Sequence, residues 1–404
     1  MEVLVTRARG AATLAATFAI LLVGCGVDAT TAGADVSEDS GAGQDAGGTA
    51  GDADGAGDAA RLDTDASGPL VIDDLPALKL LIAARAGAEA AAKTAWPSAP
   101  QAVWPGFSLH KVPTLLVILS SKGMPIRAYL LGATTPPTGA TAFDVGGVSC
   151  LRYDAGAAGM GPGETVIPDQ LVAAKSTLVV TWSAVRDTDS TAWIETLGGG
   201  YMTRLREVEA QWLPVQACGQ SLYPRFELAI ALVQLEAAVL TDALNAQTPA
   251  AIQSALHEWA AARAAGIAVT NFVGQRARHY DNLFGSTQFV AGRLSVASGQ
   301  RTAAGWLTTL KTQLAEPAKI PIADFDALLL DSGILSAAAI EAASRAGWDV
   351  EPAFHAGNNV RTVVVAKLGE APAQALAAAK AKHDWAGFVA RAKLIMALPV
   401  GAQP

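Results

Sequence analysis

Between Gly26 and Gly68 the chain is built mostly from Gly, Ala, Asp, Ser and Thr. The stretch holds ten acidic residues, one basic residue (Arg61) and no aromatic residue. Such a segment cannot bury enough apolar surface to offset its ordering entropy. Residues 25–68 are therefore expected to form a flexible, self-repelling tether; an acidic interaction tail is the other use of this composition. Any core is confined to residues 69–404, long enough for one domain or two. Much of the net charge of -8 sits in the tether, so the folded part is nearer neutral.

The segment before the tether reads as an export signal over residues 1–24. Arg7 and Arg9 supply a positive start, and Ala11 to Val23 is almost wholly apolar and uncharged. That run is short against the roughly twenty residues a membrane-spanning helix needs, but it suits the apolar region of a signal peptide. It ends in Leu22-Val23-Gly24-Cys25, which looks like a lipobox. Cleavage before Cys25 and acylation of its thiol are expected. Each buried methylene of such an anchor contributes about 0.8 kcal/mol. The membrane, reached through this lipid, is the expected partner. Gly26, where an Asp would favour inner-membrane retention, points to the outer membrane of the cell envelope. An ordinary secretory signal followed by a chance cysteine is the alternative.

The folded part divides by pattern near Asp187. In residues 69–187 the spacing predicts a helix over Asp73 to Trp96, with Asp73 or Asp74 as its cap and Pro76 in the first turn. Two strand-like runs follow, Thr114 to Leu119 and Ile126 to Leu131, separated by the turn-forming Lys122-Gly123-Met124-Pro125. Ser176 to Trp182 is a further strand, and the Gly-rich Ala155 to Gly163 a loop. Residues 188–404 read as mostly helical. Thr191 to Gln211 has helical spacing, interrupted by Gly198-Gly199-Gly200 at about 1 kcal/mol per glycine relative to alanine. Tyr223 to Leu244 carries an apolar stripe of Phe226, Ile230, Val233, Ala237, Leu240 and Leu244. Further helices are expected at Pro249 to Ala265, Asn271 to Ser298 (broken near Gly285), Thr302 to Leu314, Ala323 to Leu330, Ser336 to Arg345 and Pro372 to Met396. The expected class is α+β, a small sheet region with a hairpin followed by a mainly helical half.

No phosphate-binding loop, dinucleotide fingerprint, nucleophile elbow or CxxC pair is present. No basic stripe with interleaved aromatics exists, so no nucleic-acid partner is expected. The five histidines are His110, His257, His279, His355 and His383. His257-Glu258 is half of a zinc-protease motif, but the second ligand would have to lie at i+4 on the same helical face, and that position is Ala261. His257, His279, Glu258 and Asp281 form the set to inspect for a site that spacing does not reveal. With Cys25 assigned to lipid, Cys150 and Cys218 remain in a compartment that permits disulfides. They are expected to pair; two separate buried thiols are the alternative.

Four segments carry a family resemblance. Ser176 to Trp182 looks like a strand that precedes a motif helix. Thr191-Ala192-Trp193-Ile194-Glu195-Thr196-Leu197-Gly198 looks like that helix. Arg225-Phe226-Glu227 to Leu244 looks like a Leu- and Glu-rich helix, and Leu283-Phe284-Gly285-Ser286-Thr287-Gln288-Phe289-Val290 like a second motif helix. In this order, with Ala339 to Trp348 similar to a closing segment, the chain from Trp104 to Trp348 resembles bacterial secreted or lipid-anchored proteins with a zincin-like domain of the gluzincin metallopeptidase type. In that family the first motif helix carries His-Glu-x-x-His and the second carries Glu-Gly-x-Ala-x-Tyr. Here Ile194 and Gly198 stand at the two histidine positions, and Phe284 stands at the third ligand. Only Glu195, at the place of the general base, matches. Catalytic zinc needs about three protein ligands and a water, and these three residues offer no side-chain donor. The resemblance therefore implies a member without metal, cofactor or peptidase chemistry, and no catalytic residue carries over. Glu195 would be a relic, paired with Arg204 or Arg206 or exposed.

The resulting expectation is a lipid-anchored, non-catalytic surface or periplasmic protein whose cleft binds a peptide, a protein or a small molecule. An unrelated structural or binding domain, and a hydrolase with an unrecognised site, remain the alternatives.

Overall fold

The computed structural model describes residues 72–94, 103–109, 112–119, 125–132, 140–154, 178–182, 193–194, 196–202, 227–269, 284–315, 327–371 and 373–397. The chain divides into two units, Met1–Asp73 and Asp74–Pro404, and the description below concerns the second. The fold is α+β, a small sheet followed by a mainly helical half.

A 3-10 turn, Ile72–Asp74, leads into α1, Leu75–Ala92. Its buried residues, Ala77, Leu78, Leu81, Ala84 and Ala88, recur at helical spacing and form one face. Pro76 sits in the first turn, where a missing N–H leaves no helical hydrogen bond unmade. Asp74 occupies the N-cap position but caps nothing, contrary to the sequence expectation. Its carboxylate accepts instead from Arg127 Nε (2.5 Å) and Nη2 (2.9 Å) and from the Tyr129 hydroxyl (2.5 Å). A charged bidentate pair with a buried phenol outcompetes one exposed backbone N–H. It fastens the start of α1 to the sheet.

The sheet has the order β3-β4-β2-β1-β5. Its strands are β1 (Thr114–Leu119), β2 (Pro125–Leu131), β3 (Thr141–Val145), β4 (Val148–Asp154) and β5 (Leu178–Trp182). Neighbours pair antiparallel, except that β5 lies parallel to β1. Residues 112–118, which include most of β1, are buried without alternation, so the centre of the sheet is covered on both faces. At the edge, β3 is exposed at Thr141, Ala142 and Asp144. The β3–β4 hairpin, absent from the sequence reading, turns on Gly146 and Gly147 at φ of 60° and 83°. Two successive positive φ angles define the tight hairpin turn that glycine and asparagine make with least strain.

In the helical half, residues 193–194 and 196–202 are helical. Next come α2 (Glu227–Asn245), α3 (Pro249–Val269), α4 (Ser286–Ala297), α5 (Ala303–Ala315), α6 (Ala327–Arg345), α7 (Glu351–His355), α8 (Val360–Leu368), α9 (Ala373–Lys382) and α10 (Trp385–Met396). α2 and α3 form an antiparallel pair; α2 also packs against α5, α6 and α10. α2 is therefore buried on most sides, including the polar Gln234 and Glu236. Its C-terminal carbonyls are closed by a different helix. Arg345 of α6 donates to Leu244 O (2.9 Å) and Ala246 O (2.8 Å), a cation at the negative end of the helix dipole.

Three boundaries differ from the sequence reading. α6 is continuous through Gly333 where two helices were expected. α7 and α8 were not expected at all. The expected helix over Pro372 to Met396 is two helices, because the Asp384 side chain accepts from Gly387 N (3.0 Å) and starts α10 afresh. The chain therefore turns a corner between α9 and α10.

Candidate functional site

Of the positions singled out by the resemblance, Ile194 and Gly198 are sealed by packing. Ile194 is 6% exposed, and its side chain lies against Gly87 of α1. Gly198 is buried against Leu294 and Ala291 of α4. A Cβ at residue 198 would collide with the Leu294 side chain, so the absence of a side chain there lets the helices touch. Gly199 faces Thr287 in the same way. Phe284, half-buried in the turn that enters α4, lies over Gly333 of α6; a Cβ on Gly333 would come within 2.6 Å of it. Glu195 lies outside the described residues. Among the described residues no group of three or more His, Cys, Asp or Glu side chains is placed to hold a metal ion.

Two buried charge clusters brace the surrounding helices. Arg293 of α4 donates to Glu341 of α6 through Nε (2.9 Å) and Nη2 (3.1 Å), with both side chains fully buried. Trp306 Nε1 of α5 donates to the same carboxylate (3.1 Å). Glu236 of α2 accepts from Arg263 Nε (2.6 Å) and Trp259 Nε1 (3.0 Å) of α3. Burial pushes the Glu236 carboxyl upward, and the Arg263 guanidinium opposes it. Burial likewise lowers Arg293, and Glu341 opposes that. In both clusters a carboxylate receives an Arg and an indole N–H at once, as a buried charge requires.

The other expected residues are scattered. Cys150 of β4 is a buried, free thiol; Cys218, its expected partner, lies outside the described residues. Burial, and to a lesser degree Asp144, push the Cys150 thiol up to about 11, while Arg85 opposes them. Cys25, His110, His279 and Asp281 lie outside the described residues. His257 and Glu258 are half-buried on α3. His355 faces Glu351 (3.0 Å), whose carboxylate also accepts from Gly106 N (2.8 Å). That pair ties α7 to the stretch before the sheet.

A cavity of about 310 Å³ lies elsewhere, where α2, the end of α5 and the α9–α10 corner meet. Ala237, Ala238, Leu314, Ala315 and Phe388 supply its apolar walls. Gln234, Thr241, Asp242 and His383 supply its polar groups. Lys382 Nζ lies 2.6 Å from Asp242 Oδ2, and His383 Nε2 lies 3.4 Å from the same oxygen. The lysine is half exposed, whereas the His383 side chain is only 14% exposed. Bonding to Asp242 raises Lys382 above its ordinary value, and Glu258 adds to the effect. Sequence reasoning missed this place. The available signal was Lys382-His383-Asp384-Trp385, an Asp with Gly387 three residues on, inside a run that otherwise reads as one helix.

No family model, curated protein or solved structure matches the chain.

Proposed function

We propose that this chain is a lipid-anchored protein of the cell envelope whose α+β domain is non-catalytic and binds a ligand. Leu22-Val23-Gly24-Cys25, after a short apolar run, supports the anchor. Among the described residues no helix is long and apolar enough to cross a membrane, so membrane attachment in this reading rests on the lipid. Its outer-membrane placement rests on Gly26.

The non-catalytic part rests on one observation. At Gly198 a Cβ would collide with Leu294 Cδ1 and lie 3.6 Å from the α4 backbone at Ala291, so Leu294 occupies the space an imidazole would need. The order of β5, residues 196–202, α2 and α4 is the order that a zincin-like domain would have. We read the domain as such a fold with its metal site replaced by helix packing. The binding role follows from the cavity between α2 and the α9–α10 corner, which combines apolar walls with a few polar groups at the lower end of the size range of ligand sites.

Two measurements on the full chain test this. Mass spectrometry of the mature protein is expected to find an acylated Cys25 at the N-terminus, and Cys25→Ser is expected to leave the membrane fraction. An unmodified N-terminus elsewhere would end the anchor proposal. Elemental analysis before and after zinc addition is expected to find no stoichiometric metal. About one tightly held zinc per chain, as a catalytic site of this type would hold, would sink the non-catalytic reading.

A further inference from the structure

Of the polar groups lining the cavity, Gln234 and Thr241 have engaged their donors and Asp242 has none, so all three keep acceptors to offer. Gln234 Nε2 has two hydrogens, and they face two carbonyls, Phe388 O (3.3 Å) and Ile230 O (3.4 Å). What the amide can still offer is its oxygen. The Thr241 hydroxyl donates back to Ala237 O (2.9 Å), so its lone pairs alone remain. Asp242 is an acceptor by nature. Its Oδ2 faces Lys382 and His383, while Oδ1 has no partner among the described residues. Only His383 can act in either role, and its Nε2 is turned toward Asp242.

The cavity therefore has a carboxylate, further oxygen acceptors and an aromatic wall in Phe388. The ligand that completes such a set is a donor with positive charge. The cavity volume of about 310 Å³ suits a small organic ligand. We infer that this cavity is a binding site for a small organic amine, an ammonium group on a compact apolar body. The ammonium group bonds to Asp242, where charge-assisted hydrogen bonds are the strong ones. The apolar body lies along Ala237, Ala238 and Leu314, and Phe388 offers its ring to body or cation. Lys382 holds the carboxylate when no amine is present. Its head group is half exposed, so a ligand displaces it into water at little cost. An anionic ligand is disfavoured, since it would have to break the Asp242–Lys382 pair and then sit beside a bare carboxylate. The inference rests on the binding role proposed above and names its chemistry.

The test uses 2-phenylethylamine, with 2-phenylethanol and 3-phenylpropanoate as neutral and anionic counterparts of similar size, titrated into the detergent-solubilised full chain by calorimetry at neutral pH. The amine is expected to bind about tenfold or more tightly than either counterpart. Asp242→Asn is expected to weaken the amine about tenfold without moving the alcohol, and Lys382→Met to strengthen the amine several-fold by removing the internal competitor. Equal or tighter binding of the carboxylate, or an Asp242→Asn protein that holds the amine unchanged, overturns the amine assignment and leaves the binding role standing. Failure of all three probes to bind the wild type at about ten millimolar, an affinity worth under roughly 3 kcal/mol, overturns both. Unchanged melting of Lys382→Met keeps the comparison independent of folding.

Discussion

Residues 196–202 meet α4 through Gly198 and Gly199, and the start of α4 meets α6 through Gly285 and Gly333, with the charges of Arg293 and Glu341 paired inside. The corner of α2, α5 and α9–α10 is open, with a carboxylate, a lysine and a histidine around a cavity. Both regions hold ionised side chains, yet they use them differently. Arg293 and Glu341 are fully buried and fixed by Trp306. Asp242 and Lys382 are a third to a half exposed and can exchange partners. At Ile194 and Gly198, two of the positions singled out by the resemblance, the interior is filled by packing. Among the described residues a cavity lies where no motif draws attention.

The contrast is sharpest in what single substitutions should cost. Glu341→Gln leaves Arg293 charged and buried, so a loss of about 3–5 kcal/mol in unfolding free energy is expected by denaturant titration. The double variant Arg293→Met/Glu341→Leu should recover much of it, because no bare charge remains. A Glu341→Gln protein as stable as wild type would show that water reaches this pair, and the distinction between the regions would fall.

The sheet offers a second sealed group. The Cys150 thiol is raised from its ordinary 9.0 to about 11. A group raised on folding gives stability that is complete below the unfolded value and is lost as pH rises through the folded one. Stability should therefore fall between about pH 9 and pH 11, by up to about 2–3 kcal/mol, since a tenfold change in proton affinity is worth about 1.4 kcal/mol. The difference between wild type and Cys150→Ala across that window is the readout. Parallel curves would mean the thiol is not sealed.

Gly292→Ala comes next. A methyl there would collide with three atoms of the buried Trp306 ring. A cost of about 1–3 kcal/mol is expected in thermal or denaturant unfolding, as for other overpacked interiors. An unaffected protein would show the α4–α5 crossing to be loose. At the open corner Lys382→Ala should change stability by no more than about 0.5 kcal/mol, as exposed ion pairs do. A larger loss would mean that this pair braces the fold as the inner ones do.

The α+β division, β1, β2 and β5, and the helices α1, α2 and α3 are legible in the sequence, the strands as short apolar runs and the helices by their apolar spacing. What depends on partners is concealed. Glu236 reads as a surface residue, yet it lies under Arg263 and Trp259. β3 and β4 escape a sequence reading because Asp144, Ser149 and Arg152 interrupt their apolar pattern, although Gly146-Gly147 marks the turn. Asp384 reads as one more residue of a long helix, because a cap acts through a single hydrogen bond and leaves no periodic trace. The cavity is invisible for the same reason, since its walls come from three places in the chain that only the corner brings together.

The pairing of β5 with β1 also sets an order in time. β1, β2, β3 and β4 each pair with a strand close by in sequence, whereas β5 must return from Leu178 to lie parallel to Thr114–Ile118. Loop closure over such a distance is a cost that local hairpins avoid. The four antiparallel strands should therefore assemble first and the fifth dock onto a finished edge. In pulse-labelled amide exchange during refolding, Val179 to Thr181 should gain protection after Ala128 to Leu130. Simultaneous protection of both would mean that the sheet forms in one step.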